Sequence, residues 1–321
     1  MSSNQSPLGS AFGAASTAAD VISGHDLRGR NAIVTGGGAG LGLEAVRQLA
    51  TAGAHVIVPA RSPERAEAAL AGIANVRVAK MDLADANSIE AFASEIVRAG
   101  EALHLLINSA GIMATPFERD GRGNEMQLSA NHLGHFQLAR ALHGKLAAAN
   151  GARIVAISSR GHFFGGVDFD DPNFVSRAYD PMLAYAQSKT ANALFALGAD
   201  QRWSRDGIRA FSVHPGGILT GLSKHFPIEV IREYGAIDEE GKPVIDPAND
   251  KKTVEQGAAT QLWCAVAPEL EGRGGVYCED CDIAVPSPAD SEIRRGVKPW
   301  ASDPELADRL WDLSERLLSA A

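Results

Sequence analysis

Short apolar runs alternate along the chain with longer segments in which apolar residues recur every three or four positions. Continuous apolar runs of four to seven residues predict strands of a sheet that is covered on both faces. The longer segments predict helices, and residues 125–149 read either as one long helix or as two abutting helices. The predicted strands are 31–35, 55–60, 76–81, 103–108, 153–158, 208–214 and 274–277, and the predicted helices are 41–52, 63–71, 88–98, 125–149 and 183–206.

This alternation predicts an α/β fold with a doubly wound, parallel, seven-stranded sheet of the Rossmann type. In such a sheet, ligands bind at the carboxyl ends of the strands. The pattern continues without a clear linker, so residues 27–321 are expected to form one domain. Residues 1–26 begin with a stretch rich in Ser, Ala and Gly and predict a mobile tail or a short packing helix around residues 17–22. Two long insertions, 160–182 and 221–249, predict lids or substrate walls.

Charge and cysteine content narrow the possible partners. The 321 residues carry a net charge of −9 with a pI near 5.5, which argues against a nucleic-acid surface. No apolar run reaches the roughly 18 residues of a membrane span, and the first residues lack the basic start and apolar core of a secretory signal. The three cysteines fit a reducing cytoplasm. Cys278 and Cys281 have CxxC spacing but lack two further soft ligands, and the histidines form no metal-ligand pattern, so no metal is expected.

A glycine-rich turn joins the first predicted strand to the first predicted helix. Its sequence, TGGGAGLG at residues 35–42, lets the backbone turn sharply and approach a pyrophosphate, which the helix N-terminus attracts. A simple tight turn is the alternative, but the flanking strand and helix supply the context that a dinucleotide site needs. The candidate cofactor-binding residues here are Thr35, Gly36, Gly38, Gly40, Leu41 and Gly42.

The ends of the next three strands supply further cofactor candidates. An acidic residue after the second strand would bind the ribose hydroxyls of NAD, whereas Arg61, with Ser62 beside it, can pair with the 2′-phosphate of NADP. NADP is therefore the expected cofactor, and NAD is the alternative. Asp82, followed by Leu83, could meet the adenine amino group or could cap the next helix. Small residues after the fourth strand allow close approach to the cofactor or form a turn, and the candidates there are Asn108, Ala110 and Gly111.

Tyr185 and Lys189 lie four residues apart on the predicted helix 183–206 and therefore share one face. A nearby cation favours the phenolate, so the sequence predicts that the pKa of Tyr185 lies below its usual value of about 10. A phenol tuned in this way can pass a proton to or from an alcohol or a ketone. By itself the pair has an alternative interpretation, a surface Tyr beside a solvated Lys.

Six motifs follow one another along the chain: TGGGAGLG at 35–42, NSAG at 108–111, NHLGH at 131–135, ISS at 157–159, YAQSK at 185–189 and HPGGILT at 214–220. Together these motifs resemble those of the short-chain dehydrogenase/reductase family. They follow the family's order and extend from about residue 30 to residue 285. The stretch LAYAQSK, the long insertion before it and the ending from Asp303 to Trp311 are most similar to the retinol-dehydrogenase and WW-domain-oxidoreductase branch. Ser109 stands where the family more often has Asn.

The resemblance implies a catalytic tetrad. In it Tyr185 is the general acid or base, and Lys189 lowers its pKa and binds the nicotinamide ribose. Ser159 would hydrogen-bond the substrate oxygen, and Asn131 would hold a water that links Lys189 to solvent. Further cofactor contacts are implied for Tyr185, Lys189, Pro215, Gly216, Ile218 and Thr220.

The expected function is an NADP-preferring oxidoreductase that interconverts an alcohol and its ketone or aldehyde. A cofactor-binding sensor or scaffold with the same fold and little activity is the alternative. The family resemblance is compatible with a homodimer, a homotetramer or a monomer. Aromatic residues in the two insertions predict an apolar or ring-bearing substrate, or else they only anchor the loops; they are Phe163, Phe164, Phe169, Phe174 and Phe226.

Overall fold

An eight-stranded sheet forms the centre of the computed structural model, which describes residues 4–319 apart from the side chains of residues 224 and 225. The strands are β1 (Asn31–Thr35), β2 (His55–Ala60), β3 (Val76–Lys80), β4 (Leu105–Asn108), β5 (Ala152–Ile157), β6 (Ile208–His214), β7 (Val276–Glu279) and β8 (Asp282–Ile283). Their order across the sheet is β3-β2-β1-β4-β5-β6-β7-β8. All pairs are parallel except β7 with β8. The doubly wound α/β fold predicted from the sequence is confirmed.

The sheet has eight strands, one more than the sequence predicts. Strand β7 starts two residues later than predicted and continues to Glu279. Asp280 and Cys281 then reverse the chain, with φ angles of 52° and 57°, and lead into β8. Positive φ at both central residues is typical of a two-residue hairpin turn. Because β8 has only two residues, it leaves no apolar run in the sequence.

Helices cover both faces of the sheet, and one apolar core lies on each face. The segment predicted as one or two helices over 125–149 is divided into three helices and a π-helical segment, Ser129–Leu133. The helices are α1 (Ala18–Ile22), α2 (Gly40–Thr51), α3 (Pro63–Leu70), α4 (Ala86–Ala99), α5 (Met126–Leu128), α6 (Gly134–Ala141), α7 (His143–Ala147), α8 (Pro181–Trp203), α9 (Ile228–Glu233), α10 (Val254–Gly257), α11 (Ala259–Val266) and α12 (Pro304–Ser319).

Helix α8 is the longest helix in the described part of the chain and lies against β5 and β6. Asp180 caps its start, because the carboxylate accepts the N–H groups of Met182 at 2.7 Å and Leu183 at 2.9 Å. Pro181 occupies the first helical position, where its missing N–H has no helical partner to lose. The helix therefore begins at a fixed place, one turn before Tyr185.

Helix α12, which is absent from the helices predicted above, covers the outer side of α8. Trp311 of α12 makes edge-on ring contacts with Phe136 of α6, at 4.8 Å, and with Trp203 of α8, at 5.2 Å. Such aromatic pairs stabilise by about 0.5–1.5 kcal/mol beyond their buried area. Helix α8 is consequently buried on the sheet side and on the α12 side.

Gln5 attaches the N-terminal segment to the edge of the sheet. Its side-chain amide donates to the carbonyls of Tyr277 (2.7 Å) and Ala284 (2.6 Å) and accepts the N–H of Tyr277 (2.9 Å). A Gln side chain can satisfy both backbone groups of an edge residue in this way. Helix α1 follows, capped by Thr17, and packs on α11. Of the two sequence-based alternatives, these contacts correspond to the packing helix; residues 1–3 lie outside the described part of the chain.

Candidate active site

Tyr185, Lys189 and Ser159 lie together at the carboxyl end of β5. All three line a cavity of about 440 Å³, here called the central cavity. Tyr185 and Lys189 are buried on the face of α8 that lies over the sheet. The pair is therefore not the surface Tyr and solvated Lys of the alternative interpretation.

Asn131 lies behind this cavity rather than on its wall. Its Oδ1 accepts the Ile112 N–H at 2.8 Å, and its Nδ2 donates to the Ile112 carbonyl at 2.9 Å and to Ser188 Oγ at 2.9 Å. Asn131 belongs to the π-helical segment, whose wider turn shifts the side chain relative to an α-helix. It thus joins the loop after β4 to α8, the helix that carries Tyr185 and Lys189.

Burial controls the protonation of the Tyr185 and Lys189 pair. It raises the pKa of Tyr185 to about 12, and a hydrogen bond with the Ser159 side chain opposes this only in part. Burial also lowers the pKa of Lys189 to about 8. The Lys189 ammonium donates to the Ile157 carbonyl at 3.0 Å and lies 5.5 Å from the centroid of the Tyr185 ring. The predicted lowering of the Tyr185 pKa is therefore wrong for this structure, because desolvation by burial is the largest influence on the phenol and raises its pKa.

The two serines at the end of β5 have different surroundings. Ser158 Oγ is buried and donates to the Lys189 carbonyl at 2.8 Å, so it packs α8 onto the sheet. Ser159 Oγ accepts the Gly161 N–H at 3.0 Å and faces the cavity. The absence of a side chain at Gly161 leaves room for the Tyr185 ring, because a Cβ at that position would lie 2.9 Å from Tyr185 Cε1. The tight turn after Ser159 therefore requires glycine.

His162 fixes the backbone of Ser159, a contact that sequence reasoning missed. His162 Nε2 accepts the Lys298 N–H at 3.2 Å, so the ring proton is on Nδ1, which donates to the Ser159 carbonyl at 2.7 Å. Burial lowers the pKa of His162 to about 3, which keeps the ring neutral. The aromatic residues that follow His162 in the sequence indicate an apolar environment, and they could have predicted that this histidine is buried.

Thr35 faces the interior of the protein and not the cavity. Its hydroxyl oxygen accepts the N–H groups of Ser109 and Ala110, both at 3.0 Å, and its proton points to His135 Nε2 at 2.8 Å. His135 Nδ1 donates in turn to the Asn131 carbonyl at 2.9 Å. This buried chain of hydrogen bonds joins the ends of β1 and β4. Thr35 and His135 therefore position the surrounding backbone, a role that sequence reasoning did not assign to either residue.

Close backbone packing explains two glycines of the 35–42 turn. A Cβ at Gly36, where φ is +69°, would lie 2.8 Å from Ala110 Cα, and a Cβ at Gly42 would lie 2.4 Å from the Gly36 carbonyl oxygen. Ala39 precedes the helix and has no polar side chain to cap the first N–H groups of α2. These groups stand beside the central cavity and can receive an anion. The predicted cofactor residues that line this cavity are Gly36, Gly40, Leu41, Gly42, Ala110, Gly111, Tyr185, Lys189, Pro215, Gly216, Ile218 and Thr220.

A second cavity, of about 570 Å³ and here called the Arg61 cavity, continues from the turn toward β2 and β3. Arg65 lines it together with Arg61, whereas the sequence predicts only Arg61 as a partner of the 2′-phosphate. Asp82 Oδ1 accepts the Ala84 N–H at 3.0 Å, which leaves its other oxygen available. Asn108 is buried and lines neither cavity. The predicted cofactor residues in the Arg61 cavity are Gly36, Gly38, Arg61, Ser62, Asp82, Leu83, Ala110 and Gly111.

A third cavity, of about 370 Å³ and here called the apolar cavity, shares Ser159, Tyr185 and Gly216 with the central cavity. Two of the five predicted wall aromatics line it, Phe164 and Phe226. The other three anchor loops: Phe174, for example, is buried against Tyr179, with ring centroids 5.1 Å apart. The further apolar walls come from Met113, Met182, Leu219, Leu222, Ile231, Tyr234 and Ile245.

The described part of the chain contains neither a membrane-spanning helix nor a metal-binding cluster. No helix between residues 4 and 319 is long and apolar enough to cross a membrane. Within the same range, no group of three or more His, Cys, Asp or Glu side chains could hold a metal ion. Cys264, Cys278 and Cys281 are buried free thiols, and burial raises the pKa of Cys281 to about 12. Such thiols are unreactive at neutral pH.

Comparisons with known proteins agree with this geometry. The profile of the short chain dehydrogenase family matches residues 30–229. A protein of Streptomyces lividans named as a probable oxidoreductase is 46% identical over 303 residues, which cover 92% of this chain and 99% of that protein. The WW domain-containing oxidoreductase of Homo sapiens is 33% identical over 321 residues, which cover 96% of this chain and 72% of that protein. Among solved structures, an uncharacterised protein from Mycobacterium paratuberculosis is similar, with a TM-score of 0.70 and 31% sequence identity. The similarity covers 95% of this chain and 97% of that protein's chain.

Proposed function

This chain belongs to the short-chain dehydrogenase/reductase family, and we propose that it is an NADP-preferring oxidoreductase that interconverts an alcohol and its ketone or aldehyde. One observation carries the proposal: Ser159 and Tyr185 line both the central cavity and the apolar cavity. A substrate oxygen near these two hydroxyls can therefore have its carbon skeleton in the apolar cavity while a cofactor occupies the other side. The apolar walls favour an apolar or ring-bearing substrate.

The lining of the first two cavities fits a dinucleotide. The uncapped first turn of α2 offers N–H groups to a pyrophosphate. Lys189, Pro215, Gly216, Ile218 and Thr220 line the central cavity, and we propose that they hold the nicotinamide end. The residues proposed to hold the adenosine end line the Arg61 cavity; they are Arg61, Ser62, Arg65 and Asp82. Two arginines in the same cavity support NADP over NAD, because a 2′-phosphate carries the charge that guanidinium groups bind.

The proposed mechanism assigns proton transfer to Tyr185. When bound, the nicotinamide supplies the hydride in reduction and accepts it in oxidation. In reduction, the carbonyl oxygen accepts hydrogen bonds from Ser159 and Tyr185, which stabilise the charge that develops on it. The phenol then gives its proton to that oxygen, and the product is the alcohol. A pKa of about 12 keeps Tyr185 protonated at neutral pH, which suits the role of acid.

Lys189 has two proposed tasks in this mechanism. With a pKa of about 8 it is largely charged at neutral pH, and its field favours the phenolate that remains after proton transfer. We also propose that it binds the nicotinamide ribose and that Asn131 holds a water through which the proton is replaced.

We further propose that the protein is located in the cytoplasm and forms a homodimer or a homotetramer. Cell fractionation would test the location, and light scattering would test the oligomeric state.

Turnover of a defined substrate panel tests the proposed function. Primary and secondary alcohols and the matching aldehydes and ketones, each with both cofactors, are followed by reduced-nicotinamide absorbance. We expect turnover of apolar carbonyls with NADPH and a higher kcat/KM with NADPH than with NADH. Tight NADPH binding without turnover of any member would favour the sensor or scaffold. A clear preference for NADH would contradict the cofactor assignment alone.

A further inference from the structure

We propose that the substrate carries a carboxylate at the end remote from its carbonyl and that Arg294 binds it, an inference that rests on the proposed function. The lining of the apolar cavity contains two chemically different groups of residues. Apolar side chains form most of it, and the remainder includes charged residues. These are four cations and one carboxylate: Arg160, Lys251, Lys252, Arg294 and Asp250. The pairing of these cations within the protein decides which of them can bind a ligand.

Most of the charges around the apolar cavity are paired within the protein. Arg160 lies 3.3 Å from a carboxylate oxygen of Asp250 and 3.3 Å from one of Glu279. Lys252 and Arg295 both bind Asp280, at 2.6 Å and 2.7 Å. The three carboxylates thus balance Arg160, Lys252 and Arg295, which leaves two cations unbalanced.

Those two cations are Lys251 and Arg294. Within residues 4–319, neither has a carboxylate oxygen within 4 Å among the ion pairs of the structure. The Lys251 ammonium packs under the insertion, because a Cβ at Gly235 would lie 2.8 Å from its Nζ. Arg294 is exposed, so its guanidinium is the cation that a ligand can reach.

Phe164 connects Arg294 to the reacting end of the cavity. The Arg294 guanidinium lies over the Phe164 ring, 4.7 Å from its centroid, and 42% of Phe164 is exposed. Phe164 ends the short helical turn that starts after Ser159. An apolar substrate body that packs on Phe164 would therefore have its carbonyl end near Ser159 and its other end near Arg294. A planar carboxylate matches the two-pronged donor geometry of a guanidinium.

Matched acids and esters test this inference. The probes are 4-acetylbenzoate and 9-oxodecanoate, each compared with its methyl ester, with NADPH as the cofactor. For the probe that is long enough to reach Arg294, kcat/KM for the acid should be about ten times kcat/KM for its ester, since a charge-assisted hydrogen bond contributes about 1.5 kcal/mol or more. Arg294→Gln should reduce that ratio to about one. Arg295→Gln is the matched control: Arg295 is adjacent in sequence but pairs with Asp280, and the ratio should not change.

Calorimetric titration of the acids and esters into NADP⁺-loaded enzyme gives a readout that does not depend on turnover, because the oxidised cofactor has no hydride to give to the ketone. Tighter binding of the acid that is lost in Arg294→Gln supports the inference even without turnover, an outcome that would contradict only the proposed oxidoreductase function. Turnover of uncharged ketones with equal binding of acid and ester would leave the function intact and would overturn the carboxylate site. Absence of binding by every acid, or an equal loss in Arg295→Gln, would overturn it as well.

Discussion

The glycine-rich turn and the substrate side of the site are constructed in different ways. In the turn, residues close in sequence meet through their backbones, as Gly42 meets the carbonyl of Gly36. On the substrate side, contacts join residues far apart in sequence: His162 with Lys298, and Asp250 with His214 at 3.0 Å. The first region is defined by the absence of side chains, whereas the second is defined by which side chains are present. The turn should therefore tolerate almost no substitution, and the substrate side should accept changes that alter specificity without loss of the fold.

Gly42→Ala should have the largest effect on cofactor binding. The new Cβ would lie 2.4 Å from the Gly36 carbonyl oxygen, so the turn must move away from α2. We expect the Kd for NADPH, measured by fluorescence titration, to rise by about 100-fold and stability to fall by about 1–3 kcal/mol, as for other overpacked sites. Gly144→Ala is the control, because a Cβ there meets no atom within 4 Å. A Kd within threefold of the wild type would show that the turn is more adaptable than its packing indicates.

Gly161→Ala tests whether the substrate side also contains a backbone-limited position. Its Cβ would lie 2.9 Å from Tyr185 Cε1 and would displace the phenol. Displacements of about 1 Å can lower turnover by about 100-fold, so we expect kcat to fall by about 10- to 100-fold. The Kd for NADPH should stay the same, which separates this variant from Gly42→Ala. Gly165→Ala, with nothing within 4 Å of its Cβ, should keep the wild-type kcat; an equal loss in both variants would contradict the steric explanation.

Arg61→Ala and Arg65→Ala examine the part of the cofactor region that depends on side chains. Each change should raise the Kd for NADPH by about tenfold, since charge-assisted hydrogen bonds contribute about 1.5 kcal/mol or more. The Kd for NADH, which has no 2′-phosphate, should change by less than about twofold. Arg98→Ala, in the last turn of α4, is the matched control. Equal changes for both cofactors would remove the basis of the NADP preference.

The smallest expected effect is the pH dependence of carbonyl reduction below pH 7.5. Tyr185, with a pKa of about 12, stays protonated there, and Lys189, with a pKa of about 8, stays largely charged. The value of kcat/KM should therefore vary by less than about twofold between pH 6 and 7.5 and should fall at higher pH as Lys189 loses its proton. Alcohol oxidation, which needs the phenolate, should instead rise with pH. A reduction rate that falls from pH 6 upward would indicate a Tyr185 pKa near neutrality.

The fold could be predicted from the sequence, as could many of the residues that line the central cavity and the Arg61 cavity, because these features leave local patterns. Apolar runs marked the seven parallel strands, and motif spacing placed Tyr185 and Lys189 on one helix face. The pattern missed β8, which has only two residues, and gave no prediction for helix α12, whose amphipathic segment lies beyond the alternating region. Short or terminal elements depend on tertiary contacts that a local pattern does not contain.

The electrostatics of the site could not be predicted from the sequence for a different reason. Residue spacing shows that Lys189 faces Tyr185, but it does not show how deeply both are buried, and burial decides the direction of both pKa shifts. Likewise, Thr35 matches a cofactor motif, yet its hydroxyl is used by Ser109 and Ala110. Arg294 belongs to no motif, and only the fold brings it over Phe164. These features arise from contacts between distant segments.

Proton transfer by Tyr185 is the central claim, and Tyr185→Phe tests it most directly. The substitution removes only the hydroxyl and keeps the buried ring, so the fold and the cofactor cavities should be preserved. The measurement is kcat for carbonyl reduction with NADPH, alongside the Kd for NADPH. We expect kcat to fall by about 1000-fold, within the range for loss of a general acid, while the Kd stays within about twofold. A variant that keeps kcat within about tenfold of the wild type would contradict the assignment of Tyr185 as the proton donor.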